Sequence, residues 1–366
     1  MSERTWQNTG LAVIVLMTAV GLAVTPDMTF SLIAGVPLII GLVLYWAIAR
    51  FPRLTRDLLL VAGLLSLGTL ALSLVAGLAI IPRRHALLSA IAPLAWLKAQ
   101  LPLRLNGNVV AAALLLLIPL SLAQLLWAQE PSSWRDGLRL LLALLAVCVA
   151  VAVMPLTKSQ AAIAALAVAV ALLLLLRSPR MGLALVGFGA LAALILVLVT
   201  GWDTIAGRYL GEWTGIRLAV RTEIYDRALL LIANYPLTGV GLGCYEPTVR
   251  ELYPLFYMPG ATQTSSHNLL LQVAVDLGIP GLLAYLLLLG HAIRAAILAI
   301  RDKAAQSPLH TALASACLVC FITLLLHGLL DCAQWANKLR FLTWGVMGLA
   351  VALQRFGDAH QPVETQ

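Results

Sequence analysis

Two stretches of the sequence hold residue types able to do chemistry. Residues 221–245 read RTEIYDRALLLIANYPLTGVGLGCY, and residues 265–289 read SSHNLLLQVAVDLGIPGLLAYLLLL. Arg217 and Arg221 are four apart, so on a helix they share one face. A guanidinium fork there suits phosphate oxygens, and the plainer alternative is a pair of arginines meeting lipid headgroups. His267 stands just before an apolar run. Histidine is the side chain whose ordinary pKa lies near neutrality, so His267 is a candidate base, with Ser265 or Ser266 expected as the helix N-cap beside it. It can equally bind an anion as a cation, or simply bond to loop backbone. Gly239, Gly241 and Gly243 alternate after Pro236, which implies a tight backbone path more than a phosphate cradle.

Other candidates rank below these. His327 and Asp331 are spaced i, i+4 and are expected to pair with each other. Glu212, Glu223, Glu246 and Glu251 can orient arginines. No stretch has the spacing of a metal site such as HExxH, so neither a metal nor another cofactor is expected. Cys317 and Cys320 form a CxxC inside ASACLVCFITLLL, where small packing residues are the natural reading; the five cysteines make no disulfide framework.

The elements that must position these residues are membrane spans. Of 366 residues, 61% are hydrophobic and 11% charged. Soluble domains carry about 25% charged residues. Apolar runs such as LLLALLAVCVAVAVM are continuous and do not alternate, so helices, not barrel strands, are expected. The expected fold is an all-α polytopic transmembrane bundle of about 10–11 spans. Its helices fall near 9–25, 30–49, 58–81, 108–128, 138–155, 160–177, 182–200, 278–300, 309–328 and 339–354, with 85–101 as a weaker candidate. The whole of 1–366 reads as a single membrane domain. The net charge of +8 fits a positive-inside bias and, with no basic patch interleaved with aromatics, gives no sign of nucleic acid.

Basic turns at Arg50, Arg53 and Arg56, at Arg177 and Arg180, and at Arg294, Arg301 and Lys303 fall on one side if the N-terminus is cytoplasmic. The same parity makes 201–267 an extracytoplasmic loop, with short helices inserted between spans. Arg83, Arg84, Lys98 and Arg104 run against the rule. The 201–267 loop is the one long polar excursion in an otherwise loop-poor chain, which marks it as functional.

The two opening stretches, in this order, resemble the O-antigen ligase and O-antigen polymerase superfamily. The resemblance rests on Arg221, Tyr225, Pro236, Gly239, Gly241, Gly243, His267, Asn268, Leu277, Gly278, Pro280 and Gly281, over about 70 residues. It implies a metal-independent glycosyltransferase of the bacterial inner membrane, active on the extracytoplasmic side. Such an enzyme takes a glycan from an undecaprenyl-diphosphate donor to a hydroxyl on a lipid core, another glycan or a protein. By resemblance, His267 is catalytic and Arg217 and Arg221 hold the diphosphate, while Asn268, Tyr225, Gly239, Gly241 and Gly243 support them. The family's Thr-x-Ser-Arg is here Thr157-Lys158-Ser159-Gln160, so Lys158 is expected to supply the missing cation. A transporter or flippase of polyprenyl-linked glycans, or a non-catalytic family member, are the other readings. The membrane lipids are the remaining expected partners.

Overall fold

A computed structural model describes residues 3–50, 55–84, 106–205, 216–257, 263–302, 307–336 and 338–358. Among the described residues there are helices and turns and no strand. The chain begins with α1 (Glu3–Val24), α2 (Met28–Ile48) and α3 (Thr55–Arg84). It continues with α4 (Gly107–Leu126), α5 (Trp134–Val153), a 3-10 turn Met154–Thr157, α6 (Gln160–Arg177) and α7 (Pro179–Thr200). Three helices then lie between spans: α8 (Trp202–Ile205), α9 (Ile216–Asn234) and α10 (Tyr245–Leu252). The last are α11 (Leu269–Arg301), α12 (Pro308–Gly328) and α13 (Phe341–Asp358).

Nine of these are long and apolar enough to cross a membrane: α1–α7, α11 and α12. The apolar stretch of α13, Phe341–Phe356, is shorter. The 85–101 candidate lies outside the described residues. One expected boundary is corrected: the span placed at 278–300 begins at Leu269, and Gly278 interrupts it instead of starting it, with φ 69° and ψ 179°. The reason is local. Asn268 Oδ1 accepts from the N–H groups of Leu270 and Leu271 at 3.0 and 3.1 Å and so starts the helix nine residues early.

The chain divides into two compact units. The first comprises Met1–Ile39, Leu174–Leu288 and Gly328–Lys338. Its core forms because Ile224, Ala228 and Leu231 recur on one face of α9 and bury against Val240, Tyr245, Val249 and Val275. Tyr245 lies fully inside, its hydroxyl donating to the Ile224 carbonyl at 2.9 Å. α7 behaves differently: only Gly182 of its residues is buried, as expected of a helix dissolved in lipid.

The second unit comprises Ile40–Leu173, Leu289–His327 and Leu339–Gln366. α4 is its centre, buried continuously from Val110 to Ser121. α3 packs antiparallel to α4 through polar pairs: Gln124 Nε2 donates to Ala62 O at 3.1 Å and Ser66 Oγ at 3.0 Å, and Thr69 and Ser121 hydroxyls meet at 3.1 Å. Without water as a competitor such bonds contribute roughly 1 kcal/mol each. Cys317 and Cys320 are buried free thiols, and Cys320 Sγ bonds the Leu116 carbonyl at 3.1 Å, so the CxxC packs helices.

Candidate functional site

The site is built in the first unit from α9, the start of α11 and the segment 328–335. Pro236 stops α9, and the chain then turns through Gly239, Gly241 and Gly243 at φ 66°, 96° and 71°. This turn docks on the break in α11. Val240 N–H donates to Val275 O at 2.8 Å, and Ile279 N–H donates to Pro236 O at 2.7 Å. The backbones approach so closely that a Cβ on Gly239 would lie 2.5 Å from Val275 O, and one on Gly278 2.6 Å from Leu237 O. Glycine is therefore required at both positions by contact as well as by φ.

A buried polar network then fixes the residues around His267. Ser266 N–H donates to Gln272 Oε1 at 2.7 Å, and Gln272 Nε2 donates to Asp276 Oδ1 at 3.0 Å. The amide has only one orientation that satisfies both contacts, because a backbone N–H can only donate and a carboxylate only accept. Asp276 also accepts from Gly243 N–H at 3.3 Å and from Trp335 Nε1 at 2.8 Å. Asp276, Gln272 and Trp335 thus join the glycine turn, α11 and the 328–335 segment. All three were passed over in the sequence. The available signal was a carboxylate and an amide one turn apart inside an apolar run.

The Ser265 or Ser266 cap is corrected. Asn268 is the N-cap, and Ser266 Oγ instead donates to the Asn268 carbonyl at 3.0 Å. His267 precedes the cap in a left-handed conformation, φ 51°, costly for a residue with a Cβ. Its ring Nε2 meets the Gln263 side-chain amide. Its Nδ1 is buried and has no hydrogen-bond partner among the described residues. Burial lowers the His267 pKa below its ordinary value; the nearby Asp331 carboxylate raises it and the Arg221 guanidinium lowers it further. Burial also pushes the Cys332 thiol up to about 12, although Ser265 and the His267 backbone both bond to it, so Cys332 is an inert thiol beside the histidine.

The carbonyls of Leu329 and Leu330 gather the other side chains. Arg221 Nη1 donates to Leu330 O at 3.1 Å. Tyr225 OH donates to Leu329 O at 3.1 Å and reaches His267 O at 3.5 Å. Asn268 Nδ2 points to the same Leu329 carbonyl at 3.4 Å. Arg221, Tyr225, His267 and Asn268 are therefore brought together. Arg217 lies on α9 one turn before Arg221. Beside them Glu223 accepts from Arg227 at 3.0 Å and from the N–H groups of Phe256 and Tyr257. Lys158 belongs to the second unit, exposed at the C-cap of the 3-10 turn with φ 59°.

Residues 141–286 match the family model described as O-antigen ligase. Over this stretch the chain is similar to the O-antigen ligase family. The matched stretch includes Lys158, Arg221, the glycine turn and His267, and ends before the 328–335 segment whose carbonyls bond Arg221, Tyr225 and Asn268. No curated protein matches the chain. This similarity supports a glycosyl-transferring function, and with nine apolar helices among the described residues it supports residence in a bacterial inner membrane. It implies a lipid-linked glycan and membrane lipids as the molecules the protein meets. Among the described residues no three His, Cys, Asp or Glu side chains are grouped to hold a metal ion.

Proposed function

We propose that the protein transfers a glycan from an undecaprenyl-diphosphate donor to a hydroxyl acceptor at the extracytoplasmic face of the inner membrane. The observation that carries this reading is His267: a strained, half-buried imidazole whose Nδ1 has no hydrogen-bond partner among the described residues, set beside Arg221 inside the stretch similar to O-antigen ligases. Burial keeps the ring neutral, and a neutral imidazole can take a proton. For Nδ1 to be the basic atom, Gln263 presents its carbonyl to Nε2–H, the end-for-end amide orientation that leaves its heavy atoms in place. The acceptor oxygen then attacks the anomeric carbon and its proton passes to Nδ1. The bond from that carbon to the diphosphate oxygen breaks with inversion, and the diphosphate leaves on its lipid.

The departing charge needs cations. Arg221 is the best placed, since its guanidinium is anchored on Leu330 O next to His267 and its planar fork matches phosphate oxygens. Arg217, one turn earlier, is the second cation proposed for the diphosphate, and Lys158 is proposed to strengthen donor binding. Tyr225 and Asn268 hold the Leu329 carbonyl. Lipid core, glycan and protein hydroxyls are all chemically competent acceptors.

The test is reconstitution of the purified protein in vesicles with undecaprenyl-diphosphate glycan and a panel of those acceptors. The expected result is glycan attached to one acceptor class and free undecaprenyl diphosphate released. Movement of intact donor across the bilayer with no transfer to any acceptor would reject the reading in favour of transport.

A further inference from the structure

In the second unit, α3 and α5 leave a groove of about 680 Å³ between their N-terminal halves. Ligand sites commonly measure about 300–1,000 Å³. The walls are apolar: Leu60, Leu64 and Leu67 from α3 face Leu138 and Leu142 from α5. Three of these, Leu60, Leu64 and Leu67, are each about half exposed, which in a spanning helix means exposed to hydrocarbon. The mouth is polar, formed by Asp57, Trp134, Arg135 and Arg139.

Arg139 is the unusual member. Its side chain is only 11% exposed, yet it is poorly compensated. One Nη donates to the neutral Gln124 Oε1 at 3.2 Å. Asp136 Oδ1 is 4.0 Å from Nε, too far for a hydrogen bond, while the Ser132 and Ser133 hydroxyls donate to Oδ2 at 2.6 and 3.3 Å. Nε is buried and has no hydrogen-bond partner among the described residues. A buried guanidinium normally has its donors satisfied. Arg135 lies one helical turn earlier at the mouth, its guanidinium 5.6 Å from the Trp134 ring centroid.

We propose that this groove is a binding site for one glycerophospholipid of the surrounding bilayer. Its phosphate sits against Arg139 and Arg135, and one acyl chain lies along Leu60, Leu64 and Leu67. Phosphate is the bilayer group a guanidinium fork matches, and an anion there supplies Arg139 with a charge partner nearer than the 4.0 Å of Asp136. The acyl chain covers the leucine wall. Trp134, 74% exposed, stands where indoles settle, at the boundary of hydrocarbon and headgroup.

The test uses the full chain, washed free of loosely held lipid in detergent and titrated with phosphatidylglycerol or with diacylglycerol of the same acyl chains. Bound lipid is counted by native mass spectrometry. Wild type is expected to retain one phosphatidylglycerol and to hold diacylglycerol at least about tenfold more weakly, since only the former offers a charge-assisted acceptor. Arg135→Ala, on an exposed side chain, and Arg139→Gln should each lose about tenfold of that preference. Leu64→Trp, which fills the groove from an exposed position, should abolish retention of the tight equivalent. Equal retention of the two lipids by wild type overturns the proposal, as does a Leu64→Trp protein that holds phosphatidylglycerol like wild type. If Arg139→Gln fails to fold, Arg135→Ala and Leu64→Trp still decide the matter.

Discussion

Trp335 Nε1 donates to Asp276 Oδ2 at 2.8 Å, although the two residues are 59 apart in sequence. Asp276 is 1% exposed and holds the glycine turn and Gln272 through its other oxygen. The carboxylate therefore accepts from three donors on three segments. Asp276→Asn keeps the shape but turns one acceptor into a donor facing donors. The expected loss is about 1–3 kcal/mol, the cost of orphaning a buried polar group. Thermal unfolding in detergent reads it as a lowered midpoint. An Asn variant as stable as wild type would mean that the network does not hold the site together.

His267→Ala is expected to abolish glycan transfer while the protein still accumulates in the membrane. The pH dependence gives an independent check. With the folded pKa depressed by burial, the neutral base persists below about 6.5, so transfer stays level through neutrality and falls only in acid. Stability follows the same sign. Between the folded pKa and about 6.5 the unfolded chain binds more protons, so His267 takes stability away as pH drops through that window and has no effect above it. A His267→Gln protein should lose that part of the acid sensitivity. A profile centred above neutrality would contradict the assignment of His267 as a buried base.

Arg221 carries two separable jobs, an anchor on Leu330 O and a cation toward the diphosphate. Arg221→Lys retains the charge and loses the fork, so donor binding is expected to weaken and transfer to slow. Arg221→Ala loses both and should be worse, by about tenfold or more relative to Lys. Donor titration with a fixed acceptor separates a raised KM from a lowered kcat. If wild type, Lys and Ala variants transfer alike, Arg221 meets only headgroups.

The spans were legible because hydrocarbon imposes a length and an apolar composition that few other structures share, as in the run from Val110 to Leu120 of α4. The start of α11 was not, for a specific reason. Gln272 and Asp276 interrupt the apolar run, and the partners that make them tolerable, Ser266 and Trp335, are respectively backbone and distant. His267 and Arg221 could be picked out by residue type and spacing, Tyr225 and Asn268 by the family resemblance. What could not be read was the surface they share, because the carbonyls of Leu329 and Leu330 belong to no side chain. Backbone acceptors leave no mark on residue identity. The charge of Asp331 also acts on His267, which its i, i+4 spacing to His327 did not reveal.

The polar segment 201–267 is predicted to face outward. Cysteines at exposed positions make the check clean, so Thr204→Cys and Glu251→Cys are chosen. In a background lacking the five native cysteines, both should react with an impermeant thiol reagent in intact cells once the outer membrane is made porous. The same reagent should leave Arg177→Cys unreacted until the inner membrane is broken, by the positive-inside assignment of that turn. Labelling of Thr204→Cys and Glu251→Cys only after breakage would invert the orientation and place the site in the cytoplasm.

Lys158 shares an unusual property with His267: they are the two non-glycine residues with positive φ among the described residues. The left-handed conformation costs an L-residue roughly 1–2 kcal/mol, so a lysine kept there has a reason that its backbone does not supply. Snorkelling to headgroups would place no such demand on this position, because a neighbouring residue in ordinary conformation could do it. Lys158→Gly separates backbone from charge. Glycine relieves the strain, and stability should rise by up to about 1 kcal/mol after its greater unfolded entropy is counted. If the ammonium helps to hold the diphosphate, transfer should nonetheless fall several-fold, through donor KM. Lys158→Arg should keep most of the activity without the gain in stability, and Gln160→Arg should partly restore transfer to Lys158→Gly by returning a cation two residues on. A Lys158→Gly protein that is more stable and transfers at the wild-type rate would remove Lys158 from the site and leave the diphosphate to Arg217 and Arg221.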